Sequence, residues 1–383
     1  MNWIVTYIWL LCVCDENIII LFLMRDLGIL LDCELKRSFS GATIFYNNKK
    51  NNLMNKKTVA MRHHTFHCIL WRYLLFCYKY SDVDIVSLQV NTCSRCSQRA
   101  FPLITTYADD TAITFYAANL REVFGFANTG FNRLKRHLDR DLLSINYDKS
   151  KYILFGFKCI IVPPELTLQM HKTHNVEHCD CPEIKQDTSI KYLWVVIDSK
   201  LSWQDHIDAT TKKIRKLYFK FHHLKYIMNL EVLKIVYFAL AQSIIQYGIL
   251  IWGGAFNKHI KKLSTAQKIF IKIILKKPRR YASKQTYLDA QILDVKKLYI
   301  KALLLHMFDH PELRQATQQS HATRFNSRNF VTIARHSKTN TQNFLTYTAP
   351  KTFNSLPVKI RTEINKKKYR NQIHTYLLEQ FCQ

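Results

Sequence analysis

The stretch ITTYADDTAITFYA, residues 104–117, places two adjacent carboxylates, Asp109 and Asp110, between two runs of strand-forming residues. Ile104 to Tyr107 and Ala112 to Tyr116 predict two strands joined by a turn. Asp favours turns by itself, because its side chain bonds to nearby backbone. A hairpin turn is also a suitable mount for carboxylates that hold a divalent metal ion, since it projects them from a rigid scaffold. The stretch is therefore either a solvated turn or half of a metal site.

The residues after this hairpin predict an α+β unit. Val123 to Leu143 has apolar residues at helical spacing, and YILFGF, residues 152–157, predicts a further strand. Strand, turn, strand, helix and strand make an α+β arrangement over residues 101–160. The helical spacing is carried by Phe126, Phe131, Leu134, Leu138 and Leu142. A loop containing His and Cys follows over 161–190.

The region 191–383 is predicted to be mainly helical and basic. It begins with a short strand pair in IKYLWVVIDSKLSW, residues 190–203. Leu230 to Ile251 is apolar on most sides, which predicts a buried helix. Leu263 to Leu275 has a basic flank that includes Lys272.

The charge balance indicates a polyanion as partner. The 383 residues include 56 Lys and Arg against 28 Asp and Glu, a net charge of +28. Nucleic acid is the first candidate and an anionic membrane surface the second. The helix predicted over residues 210–228 concentrates basic side chains away from its apolar stripe. They are Lys212, Lys213, Arg215, Lys216 and Lys220. Such faces are usually only solvated, but their repetition with one sign favours phosphate contacts.

The first 100 residues show no persistent period and stay unassigned. Their apolar start is interrupted by Asp15, Glu16 and Asn17, whereas a spanning helix needs about 20 apolar residues without a break. Eleven cysteines without regular spacing indicate reduced thiols of an intracellular protein, in the nucleus or the cytoplasm. Cys93 and Cys96 have the spacing of half a zinc site, and a later cluster could complete it. That cluster is His171, His174, His178, Cys179 and Cys181. The alternative, which we take as the default, is that all of these are ordinary loop residues.

The hairpin and its flanks resemble a known family, the reverse transcriptases of non-LTR (LINE-type, jockey-like) retrotransposons. TYADDTAI is similar to the palm hairpin of that family. LLSINYDKSKYILFG is similar to its next block, with Asn146, Lys149 and Ser150 before a strand. IKYLWVVIDSKLSWQDHI is similar to its Lys-Tyr-Leu-Gly segment, with Trp194 in place of the usual glycine. Further blocks, SIIQYGILIWGGA, LSTAQKIFIKIIL and LTYTAPKTFNSLPVKIR, extend the resemblance.

The resemblance implies an RNA-directed DNA polymerase that transfers nucleotides with two Mg²⁺ or Mn²⁺ ions. Asp109 would be a direct metal ligand and Asp110 its supporting neighbour. Tyr107 and Ala108 would lie near the primer end or the incoming deoxynucleotide. Lys149 would stand near the leaving pyrophosphate. The implied partners are an RNA template, a DNA primer and a deoxynucleoside triphosphate.

Two features of that family do not occur in this sequence. A Gln-Gly block is absent before the hairpin, and no upstream strand-end aspartate matches the family pattern. Asp32 ends an apolar run, but strand-end aspartates are more often turn formers. Asp82 and Asp84 lie too close to the hairpin for the Gln-Gly block to fit between them and it. The sequence thus predicts a truncated, incomplete polymerase, with a non-catalytic basic nucleic-acid-binding protein as the alternative.

Overall fold

The computed structural model describes residues 18–24, 28–29, 103–107, 110–140, 143–156, 161–169, 182–314, 330–333 and 345–381. The chain forms two compact units, one ending at Trp194 and the other beginning at Val195. We call them the sheet unit and the helical unit. Strands in the first and helices in the second give the α+β class that the sequence predicts.

The sheet unit is built on a five-stranded sheet. Its strands include β1 (Ile18–Met24), β3 (Leu103–Tyr107), β4 (Asp110–Ala117), β6 (Lys151–Phe155) and β7 (Lys185–Gln186), and two further strands are β2 (Gly28–Ile29) and β5 (Leu143–Ser144). The order in the sheet is β3-β4-β1-β6-β7. β1 is antiparallel to both β4 and β6, and β7 is parallel to β6. The hairpin β3–β4 and the strand β6 confirm the strands predicted from the sequence.

The central strand β1 comes from the first 100 residues, which sequence patterns leave unassigned. Leu23 and Met24 are neighbours in β1, so their side chains point to opposite faces of the sheet, and both are buried. A strand covered on both faces is apolar at every position, as in IIILFLM. It therefore has no alternation that a periodicity search could detect.

One long helix, α1 (Leu120–Arg140), packs against the sheet. Asn119 caps it, because its Oδ1 accepts the backbone N–H of Glu122 at 2.9 Å. Phe131 meets Phe115 of β4 edge to face, with ring centroids 5.3 Å apart. The buried face of the helix consists of Val123, Phe124, Ala127, Phe131, Leu134 and Leu138. α1 confirms the predicted helix but ends at Arg140, because Leu143 pairs with Ile29 in a short antiparallel ladder.

A short hairpin of β8 (Ser189–Tyr192) and β9 (Val195–Asp198) confirms the predicted strand pair. Its turn residues Leu193 and Trp194 have φ of 42° and 67°, in the left-handed region. A two-residue hairpin turn of this kind favours glycine. Trp194 therefore occupies a turn position whose backbone favours glycine.

The helical unit consists of helices of very different length. They are α2 (Gln204–Ile227), α3 (Leu230–Tyr237), α4 (Ser243–Gln246), α5 (Ile249–Trp252), α6 (Asn257–Ile274), α7 (Ser283–Ala290), α8 (Val295–Asp309), α9 (Leu345–Asn354), α10 (Val358–Arg361) and α11 (Lys366–Glu379). Phe221 of α2 packs on Phe270 of α6, with ring centroids 4.6 Å apart. Tyr237 of α3 also contacts Phe270, at 5.4 Å. Aromatic side chains from three helices thus form the centre of this unit.

Two expectations for the helical unit are wrong. The segment from Leu230 to Ile251 is not one buried helix: a π-helical turn and Gly248, with φ of 62°, interrupt it, and Ile235 and Phe238 are exposed. Lys272 is not on a basic flank but buried, where its Nζ donates to the carbonyls of Arg279 (2.8 Å) and Tyr281 (2.5 Å). Among the described residues, no helix combines the length and the apolar character needed to cross a membrane.

Candidate functional site

The hairpin β3–β4 carries the candidate carboxylates. Tyr107 pairs with Asp110 across the two strands. This register leaves two residues, Ala108 and Asp109, between the strands. Both lie outside the described residues, as does the side chain of Tyr107. Asp110 is partly exposed at the start of β4.

The sheet register brings Asp110 and Lys149 to the same end of the sheet. Lys151 of β6 pairs with Leu23 of β1, and Leu23 pairs with Ala112 of β4. Lys149 precedes Lys151 by two residues, and Asp110 precedes Ala112 by two residues. Neighbouring strands are about 4.8 Å apart, so the starts of β4 and β6 are about 10 Å apart, with β1 between them. The candidate carboxylate and the candidate ammonium group therefore lie at the same end of the sheet.

Lys149 is mounted on a hydrogen-bonded turn before β6. The Oδ1 of Asn146 accepts the backbone N–H of Lys149 at 3.3 Å. Ser150 is buried, and its hydroxyl donates to the carbonyl oxygen of Asn146 at 2.7 Å. The turn thus depends on an amide side chain three residues before the lysine and a small hydroxyl one residue after it. The Lys149 side chain itself is exposed. The Asn146, Lys149 and Ser150 spacing noted in the sequence is thus the spacing of one turn.

Lys151, close to Lys149 at this end of the sheet, is held in an ion pair. Lys151 Nζ lies 2.8 Å from Asp187 Oδ2, just beyond β7. That hydrogen bond lowers the pKa of the Asp187 carboxyl below its ordinary value. Lys151 therefore connects β6 to the segment after β7.

The end of β1 lies beside the carboxylate hairpin. Met24, the last residue of β1, pairs with Thr111, which follows Asp110. Sequence patterns did not identify this strand as part of the site. A detectable signal was the isolated run of seven apolar residues, IIILFLM.

Metal binding at this end of the sheet would depend on the carboxylates of the hairpin. Adjacent carboxylates offer the oxygen ligands that Mg²⁺ and Mn²⁺ prefer, so the donor chemistry fits the implied metal. Within the described residues, no group of three or more His, Cys, Asp or Glu side chains could hold a metal ion. The remaining candidate metal ligands lie outside the described residues. These are Asp32, Asp82, Asp84, Cys93, Cys96, His171, His174, His178, Cys179 and Cys181.

The basic face predicted in the second half of the chain lies on α2. Its five basic side chains are exposed, namely Lys212, Lys213, Arg215, Lys216 and Lys220. The opposite face of the helix is buried through Ile214 and Phe221. The helical unit as a whole is strongly basic: residues 195–383 hold 33 of the 56 Lys and Arg but 10 of the 28 Asp and Glu, which leaves them with +23 of the +28.

Comparison with known proteins finds two similar curated proteins. The chain is 25% identical over 171 residues to the probable RNA-directed DNA polymerase from transposon BS of Drosophila melanogaster. It is 23% identical over 175 residues to the probable RNA-directed DNA polymerase from transposon X-element of the same organism. The chain resembles transposon RNA-directed DNA polymerases. This confirms the resemblance identified from the sequence motifs.

The extent of these matches is limited. They cover 43% and 45% of this chain, and 17% and 18% of the two polymerases. The chain therefore matches less than a fifth of the length of either relative. No protein-family model matches the chain, and no solved structure matches it.

Proposed function

We propose that this chain is the polymerase portion of a non-LTR retrotransposon reverse transcriptase and extends a DNA primer on an RNA template. The observation that carries this proposal is the convergence, at one end of the sheet, of the end of β1 with the starts of β4 and β6. Asp110 and Lys149 belong to that end. The similarity to two transposon polymerases supports the same activity.

Each group at this end has a role in nucleotidyl transfer. Asp109 and Asp110 would hold Mg²⁺ or Mn²⁺, which when bound activates the primer hydroxyl and neutralises the triphosphate. Lys149 neutralises charge on the leaving pyrophosphate, or donates a proton to it, as an exposed ammonium group on a fixed turn can do. Tyr107 and Ala108 bind the primer end or the incoming nucleotide.

A further carboxylate is needed, because one carboxylate pair does not clamp two metal ions. The register of β1 favours Asp26 for this role over Asp32. β1 ends at Met24 beside the hairpin, and Asp26 follows Met24 by two residues, whereas Asp32 follows it by eight. Both aspartates lie outside the described residues.

Primer extension on an RNA template with Mg²⁺ or Mn²⁺ tests the proposal. The variants Asp109→Ala, Asp110→Asn and Asp26→Asn should abolish extension, and Lys149→Ala should slow it by about a hundredfold or more. Asp148→Asn is the matched control, since Asp148 is an exposed carboxylate beside Lys149. Extension that survives Asp109→Ala would refute the proposed site. If Asp32→Asn abolishes extension and Asp26→Asn does not, the assignment of Asp26 is wrong.

A non-catalytic nucleic-acid-binding function is the second candidate. The observation that favours it is the charge of +23 carried by residues 195–383, with an exposed basic face on α2. Absence of primer extension with either metal, together with nucleic-acid binding that weakens steeply with salt, would support this function in place of the first.

A further inference from the structure

The solvent face of α2 carries two large aromatic side chains beside its lysines. Phe219 is 73% exposed and Tyr226 is 78% exposed. Aromatic side chains contribute to folding mainly through burial, so rings this exposed contribute little to it and keep their faces open to a ligand. The two rings therefore mark a candidate contact surface.

Helical geometry places these rings in one row with the basic residues. At about 100° per residue, five side chains of α2 fall within an arc of about 80°. They are Lys212, Lys216, Phe219, His223 and Tyr226, and we call this row the aromatic-basic stripe. The buried residues Ile214 and Phe221 lie on the opposite side of the helix. The stripe is consequently not part of the hydrophobic core of the helical unit.

Local contacts position the rings while leaving them exposed. The rings of Phe219 and His223 meet edge to face, with centroids 4.6 Å apart. Lys225 Nζ lies 4.9 Å from the centroid of the Tyr226 ring. From Phe219 to Tyr226 the helix rises about 10 Å. That distance matches about three nucleotides of a strand at about 3.4 Å each.

The charge of the stripe favours a polyanion over a protein partner. No acidic residue occurs between Lys212 and Ile227. Asp205 and Asp208 lie earlier in α2, and Asp208 forms an ion pair with Lys262 at 3.1 Å. A surface that combines one sign of charge with exposed aromatic rings has the composition of a stacking platform for single-stranded nucleic acid.

We propose that the aromatic-basic stripe binds single-stranded nucleic acid. Unpaired bases stack on Phe219 and Tyr226, while Lys212 and Lys216 contact phosphates. A duplex offers its phosphates to the same lysines, but its bases are stacked on one another and do not reach the rings. The stripe therefore distinguishes unpaired from paired strands. This inference deepens the proposed function, because it names the form of nucleic acid that α2 recognises.

The test measures binding of the full-length protein to a single-stranded oligonucleotide of about 12 nucleotides and to the duplex of the same sequence. The double variant Phe219→Ala/Tyr226→Ala should weaken binding of the single strand by about fivefold or more, and binding of the duplex by less than about twofold. Phe219→Tyr/Tyr226→Phe keeps both ring faces and should bind like the wild type. Ile235→Ala is the control for loss of an exposed apolar side chain, since Ile235 of α3 is also exposed.

The outcomes separate this inference from the function on which it rests. Unchanged single-strand binding in the double alanine variant, or an equal loss for both probes, would overturn the stacking site. Charge reversal of Lys212 and Lys216 should weaken the binding of both the single strand and the duplex. If it weakens neither, the proposal that this helix binds nucleic acid is itself wrong. Sedimentation without nucleic acid measures the oligomeric state and so tests whether a second copy of the chain covers the rings. A wild-type dimer that the alanine variant loses would show that the rings contact a second copy of the chain, which also overturns the proposal.

Discussion

At the scale of single residues, burial determines the ionisation of His206 in the helical unit. The side chain is only 5% exposed, and its ring lies 5.5 Å from that of Trp252. Its Nδ1 accepts the backbone N–H of Val196 at 3.3 Å, so the neutral ring is the form that fits. Burial first, and the positive charge of Lys213 second, lower the pKa of His206 from 6.5 to about 4.

This lowered pKa predicts a loss of stability in acid. Between pH 6.5 and about 4 the unfolded chain binds a proton at His206 that the folded chain does not bind. The free energy of unfolding should therefore fall by about 3 kcal/mol over this range because of this group alone. Urea denaturation at several pH values measures the slope. The variant His206→Gln should lose this part of the slope, and an identical slope in both proteins would contradict the assignment.

Lys272 shows that a basic residue in a basic helix is not always a ligand contact. Its Nζ holds the carbonyl oxygens of Arg279 and Tyr281 after the end of α6. Lys272→Met keeps the aliphatic stem but removes both hydrogen bonds, and should lower the free energy of unfolding by about 1 to 2 kcal/mol. Lys261→Met, at an exposed position of the same helix, should change it by less than about 0.5 kcal/mol. Equal effects of the two variants in chemical denaturation would show that the buried hydrogen bonds are not stabilising.

At the scale of elements, two glycines of α1 provide a matched test of its packing against the sheet. A Cβ at Gly130 would lie 2.6 Å from Cε1 of Phe115, whereas a Cβ at Gly125 would meet nothing within 4 Å. Phe115 is buried against Phe131 and has little room to move. The same substitution therefore meets opposite environments in one helix.

Gly125→Ala should raise the free energy of unfolding by about 0.5 to 1 kcal/mol, because alanine favours the helical backbone. Gly130→Ala should lower it by about 1 kcal/mol or more, since the overpacking of Phe115 outweighs the same gain in helix propensity. Thermal unfolding of both variants measures the difference. Stabilisation by both would show that α1 does not pack on β4 as closely as described.

The β8–β9 turn makes a second prediction at this scale. Trp194 has a left-handed backbone, which is unfavourable for any residue with a Cβ by about 1 to 2 kcal/mol. Its ring lies 3.9 Å from Lys191 Nζ, but at 66% exposure this contact recovers less than the strain. Trp194→Gly should therefore stabilise the protein by about 1 kcal/mol, measured by chemical denaturation. Trp194→Ala keeps the strained backbone and should not stabilise it.

At the scale of the whole molecule, the uneven distribution of charge predicts how nucleic-acid binding responds to salt. Reversing Lys212, Lys213 and Lys216 to Glu should reduce the slope of the logarithm of the binding constant against the logarithm of salt concentration by about three. The matched control reverses Lys359, Lys367 and Lys368, which are exposed elsewhere in the same unit. It changes the net charge equally and should alter the slope less. Equal changes would indicate that net charge, and not the face of α2, governs binding.

Features with local causes can be predicted from residue order alone. The hairpin around Asp109 and Asp110 and the helix α1 are encoded in alternation, turn residues and 3.6-residue periodicity, which need no distant partner. The excess of Lys and Arg is a property of composition. Short sequence blocks are sufficient to identify the resemblance to transposon polymerases, because several of them occur in the same order.

Contacts between distant segments, in contrast, are visible only in the folded chain. β1 is apolar throughout, so its place between β4 and β6 depends on pairing partners about 90 residues or more away along the chain, and no local pattern encodes that. Burial of Lys272 and exposure of Phe219 likewise reverse the expectation from residue type, because the surrounding helices determine which side chains lose contact with water. The hairpin can thus be predicted from residue order, whereas the strand beside it and the stripe on α2 follow from the packing of the folded chain.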